Sequence, residues 1–110
     1  MSELRWWARR WIEDQPHSGM DIDSAMSSMT ELVTNSLRYA PGAVEVALTR
    51  GSLDELRISV RDSSDYMPRH QQVAADAGSG RGIAVMASLA NRWGVSRHAD
   101  GGKTVWCEFH

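Results

Sequence analysis

The chain has 110 residues, enough for one domain around one hydrophobic core. Hydrophobic residues make up 42% and charged residues 24%, a globular balance that excludes a disordered chain. Lys and Arg number 12 against 14 Asp and Glu, which removes the electrostatic case for nucleic acid or an anionic membrane as partner.

Cys107 is the only cysteine, so no internal disulfide can form, and it reads as a small apolar residue in a late strand. The first residues lack a signal-peptide core, and no apolar run reaches membrane-spanning length. A cytoplasmic protein is expected.

Residues Leu4–Asp14 place Leu4, Trp7, Ala8, Trp11 and Ile12 at helical spacing. The tryptophans suit a helix packed on the domain, or a partner surface, where aromatics are enriched. Pro16 and Gly19 mark a loop. Asp21 or Asp23 can then cap a second helix. Its predicted buried stripe is Ile22, Ala25, Met26, Met29, Leu32, Val33, Leu37 and Ala40, and Pro41-Gly42 stops it.

Two alternating strands follow. Val44, Val46 and Leu48 mark the first; Leu56, Ile58 and Val60 mark the second. A turn at Gly51–Asp54 makes them a hairpin. Residues Ser63–Gly80 show no apolar period beyond a short turn near Val73–Asp76, and so long a loop is expected to be functional. Gly80-Arg81-Gly82 then opens a third helix with Ile83, Val85, Met86, Leu89 and Ala90 on its apolar face. Trp93 and Val95, then Val105, Cys107 and Phe109, form two more strands around Asp100-Gly101-Gly102. This order predicts an α+β fold: a two-layer sandwich with helices on one face of a mostly antiparallel, mixed sheet, as a single domain over 1–110.

Three local features could carry chemistry. Glu31 and Asn35 stand one helical turn apart, beside the apolar stripe. An amide oxygen suits Mg²⁺, and a carboxylate could take a proton from a hydroxyl or water. The plainer reading is two surface polar residues. Asp62, counted by twos from Leu56, falls on the apolar face of its strand. A carboxylate there needs a partner: a ligand amino group, a helix start to cap, or a nearby Arg. Gly78-Ser79-Gly80-Arg81-Gly82 precedes a helix, where backbone N–H groups can approach a phosphate; the alternative is a hinge plus helix start. No zinc-type ligand cluster and no Gly-x-Ser-x-Gly elbow occurs.

In order and content these features resemble the GHKL, or Bergerat-fold, ATPase superfamily, and within it the small anti-sigma factors of the serine-kinase type and their actinobacterial relatives. Glu31–Ala40 is similar to that family's N-box. Val60-Arg61-Asp62-Ser63 with Pro68 is similar to its G1 box. Gly80-Arg81-Gly82-Ile83 through Val95 is similar to its G2 region, and Gly102–Trp106 to its terminal strand motif.

The resemblance implies ATP and Mg²⁺ as cofactors, with Asn35 holding the metal and Glu31 the general base. It implies Asp62 accepting from the adenine amino group and 63–80 as an ATP lid. Arg38, Gly78, Gly80, Arg81 and Gly82 would belong to the nucleotide-binding set, with Thr104 supporting the adenine end. Strand alternation, however, places Thr104 opposite Val105. The implied activity is serine/threonine protein kinase, on a sigma factor or an anti-anti-sigma-like protein. Ser64 and Tyr66 stand where the family's G1 pattern carries glycine. They support a second reading: an interaction module of the same fold with degenerate or lost nucleotide binding. With few residues ahead of the first helix, the sheet is expected to lack an edge strand. A partner or a second copy in a homodimer could cover that edge.

Overall fold

The computed structural model describes residues 2–15, 20–64 and 81–110, of which 81–83 by backbone alone. Asp21 decides where the second helix starts. Its carboxylate accepts the N–H groups of Asp23 and Ser24 at 3.0 and 3.3 Å, so Asp21 is the cap. Asp23 lies in the first turn, where it pairs with Arg9 at 2.9 Å.

The chain runs α1 (Ser2–Asp14), α2 (Ile22–Tyr39), β1 (Glu45–Arg50), β2 (Leu56–Asp62), α3 (Arg81–Leu89), β3 (Arg92–Arg97) and β4 (Lys103–Phe109). The strands form one sheet in the order β1-β2-β4-β3. All three pairings are antiparallel, so among the described residues the sheet has no mixed character. Hairpin connections produce this: β1–β2 and β3–β4 are each closed by a short turn, with Asp54 at φ 65° and Gly101 at φ 99°.

Alternation sorts the faces. Leu56, Ile58 and Val60 on β2 and Val105, Cys107 and Phe109 on β4 point to the helices and are buried. Ala25, Met26, Met29, Leu32 and Val33 of α2 meet them, joined by Ala8 and Ile12 of α1 and Met86 of α3. Each large side chain buried there, such as Ile58 or Met29, contributes roughly 1.5–3 kcal/mol by leaving water.

Two helical expectations change. Leu37 is 59% exposed, because Ser36 rather than Leu37 continues the Met29–Leu32 line around the helix. Trp7 is 42% exposed; α1 buries only the narrow line of Ala8 and Ile12.

The outer face of the sheet is polar. The Arg57 guanidinium sits 4.1 Å above the Trp106 ring and pairs with Glu108 at 2.8 Å. Trp106 lies across Gly94, where an added Cβ would meet the indole at 2.6 Å. Glycine is what leaves room for the ring against β3.

Candidate functional site

Asp62 ends β2 and Lys103 begins β4, and the antiparallel register sets them directly opposite each other. Both side chains point to the helix side, and they are 1% and 3% exposed. The Lys103 ammonium donates to both carboxylate oxygens, at 2.9 Å to Oδ1 and 3.1 Å to Oδ2. The Ser64 N–H also donates to Oδ1, at 2.9 Å. Asp62 is therefore inward and partnered, as the counting required. Its partner is a lysine on the neighbouring strand, neither an arginine nor a helix start.

The approach is made by Gly102. Its φ is +81°, and a Cβ there would run into the carbonyl oxygen of Asp62. Only glycine combines that torsion with that closeness. The β3–β4 turn can thus fold onto the end of β2 and deliver Lys103 to its partner. Ser63 ties the same end to α2's exit by donating its hydroxyl to the Pro41 carbonyl.

Glu31 and Asn35 are both half-buried on α2, at the rim expected for them. Glu31 lines a groove of about 280 Å³ between α1 and α2, with Arg5, Arg9, Asp23, Met26, Ser27 and Thr30. Arg38 is exposed in the last turn of α2. Arg81 and Gly82 open α3, which packs on α2. Gly78, Gly80, Tyr66, Pro68 and the lid beyond residue 64 lie outside the described residues.

Thr104 departs from the rest. Its hydroxyl lies on the outer face, 2.6 Å from His98 Nε2, and not beside Asp62. The residue that reaches Asp62 is its neighbour Lys103, which the motif-based reading passed over. The signal was available: counting back by twos from Phe109 through Cys107 and Val105 puts Lys103 inward.

For Mg²⁺, Asn35 offers a hard oxygen at a half-exposed rim, where a metal can keep its waters. Among the described residues no group of three His, Cys, Asp or Glu gathers to hold an ion by itself. For an adenine amino group the fit is poorer, since the Asp62 oxygens already accept three hydrogen bonds from two donors and are buried.

Fold and positions together define a two-layer α+β domain with a polar site where β2, β4 and the helices meet. The family profile of histidine kinase-, DNA gyrase B- and HSP90-like ATPases matches residues 20–110, and the chain belongs to this family. Among curated proteins none matches the chain. No helix among the described residues is long and apolar enough to cross a membrane.

Proposed function

We propose that the protein is a cytoplasmic ATP-binding regulator that acts on a protein partner as a serine/threonine kinase of the anti-sigma-factor type. The observation that carries this is the Glu31–Asn35 pair, one turn apart at the half-buried rim of α2 in a chain of the ATPase family. Asn35 would ligate Mg²⁺, and Arg38, Arg81 and the glycines at 78, 80 and 82 would face the phosphates. Bound Mg-ATP would supply the phosphoryl group and neutralise its charge. Glu31 would take up the proton of a serine hydroxyl on the partner, a sigma factor or an anti-anti-sigma-like protein. In that arrangement the chain supplies positioning and one base.

Calorimetric titration with ATP tests it. Saturable, Mg²⁺-dependent binding that Asn35→Ala abolishes is expected. Transfer of labelled phosphate to the partner should vanish in Glu31→Ala while ATP binding persists; undiminished transfer would refute the base assignment.

The buried Asp62–Lys103 pair favours a second reading, a protein-interaction module of the same fold that has lost nucleotide use. No binding at millimolar Mg-ATP would sink the first reading and leave the second.

A further inference from the structure

We infer that Lys103 disables Asp62 as an acceptor for an adenine 6-amino group, so that any nucleotide bound here is not selected for adenine over a 6-oxo purine. The inference rests on the nucleotide-binding reading of the site and concerns which base that site takes.

Three observations support it. First, most of the acceptor capacity is taken, and the side chain is only 1% exposed. Oδ1 receives the Lys103 ammonium and the Ser64 N–H, both at 2.9 Å, and Oδ2 receives the same ammonium at 3.1 Å. Second, the exchange is unfavourable. A neutral exocyclic amine is a weaker donor to a carboxylate than an ammonium is. Displacing Lys103 would also leave a side chain that is 3% exposed with an unpaired charge. Third, the lysine is confined. The strand register and the Gly102 turn fix its Cα opposite Asp62, and its side chain is packed to 3% exposure. A 6-oxo base would present an acceptor to Lys103 instead, and the third ammonium N–H, like the remaining lone pair on Oδ2, belongs to a pair only 3% and 1% exposed. Burial therefore leaves neither edge an accessible complementary partner, so affinity should come from the phosphates and the metal.

The experiment is calorimetric titration of the full chain with Mg-ATP and Mg-ITP, whose bases differ at the 6-position. The wild type should bind the two within about threefold of each other, having no accessible partner for either edge. Lys103→Thr, which frees the carboxylate, should bind Mg-ATP more tightly than Mg-ITP by roughly tenfold, the scale of one hydrogen bond to a charged acceptor.

Because Lys103→Thr risks unfolding, the uncharged double variant D62N/K103M is measured beside it, each protein checked by circular dichroism. The double variant, whose amide can accept from a 6-amino group or donate to a 6-oxo group, should bind the two nucleotides within about threefold of each other. Three results would overturn the inference: a wild-type preference for Mg-ATP above tenfold, a folded Lys103→Thr that remains indifferent, or a double variant that loses Mg-ATP selectively. Failure of every protein to bind either nucleotide would instead sink the nucleotide-binding reading, and the inference with it.

Discussion

Glu31 and Asp62 are both carboxylates that the sequence singles out, and the fold treats them oppositely. Asp62 is buried and held by an ammonium and a backbone N–H. Glu31 is half-buried beside an open groove. One carboxylate is committed to the protein and the other remains available to a ligand or partner. Residue type alone therefore does not make a site residue; the neighbouring strand or its lack decides.

The sharpest way to break that contrast is to remove Lys103. Lys103→Met should cost about 3–5 kcal/mol in urea unfolding, because it strands a buried carboxylate. Glu31→Gln should stay within about 0.5 kcal/mol, as rim substitutions do. D62N/K103M should recover most of the loss. A Lys103→Met cost under about 1 kcal/mol would mean that the ammonium stands in water.

Gly102→Ala comes next. It forces a side chain into positive φ and against the Asp62 backbone, and should cost about 2 kcal/mol or more in thermal unfolding. Gly101→Ala shares the positive φ but meets nothing within 4 Å, so it should cost less. Equal losses would show that torsion, not closeness, matters at this turn.

Ser28 extends the comparison to α2. Its hydroxyl is fully buried and, among the described residues, lacks a hydrogen-bond partner. Where Asp62 is satisfied, Ser28 is not, so Ser28→Ala should stabilise the protein by about 1 kcal/mol. A destabilised Ser28→Ala would reveal a partner for the hydroxyl.

The smallest effect at neutral pH belongs to Cys107. Burial first, and then the neighbouring Glu108 charge, push its thiol from 9.0 up to about 12. A raised folded value means that the stabilising contribution is complete below pH 9 and is lost as pH rises toward 12. Thermal unfolding should show no Cys107 contribution to pH dependence between pH 6 and 8, and a Cys107→Ala variant should flatten the alkaline decline. Rapid labelling of the native thiol at neutral pH would contradict the burial.

Much of the fold was legible from local pattern. The alternation in Leu56–Val60 and Val105–Phe109 named the buried face of each strand, and that count placed Asp62 inward. The three-and-four spacing of Ala25, Met29 and Leu32 found the core side of α2. Leu37 misled because an apolar residue at a helix end carries no information about which side its neighbours cover. Thr104 was drawn into the site by its place in a motif, although strand period put it on the other face, against His98. The choice between Asp21 and Asp23 needed coordinates, since both precede a helical pattern and only backbone geometry picks the cap.

The sequence alone determined the α+β class, the order of the elements, the inward aim of Asp62 and the rim position of Glu31 and Asn35. These follow from periods of two and of 3.6 along a single segment. Only the tertiary structure decided what meets Asp62. Its partner, Lys103, stands 41 residues along the chain, and their meeting depends on the β2–β4 register and on the Gly102 turn. Local pattern says which way a side chain points, and long-range pairing says what it finds there.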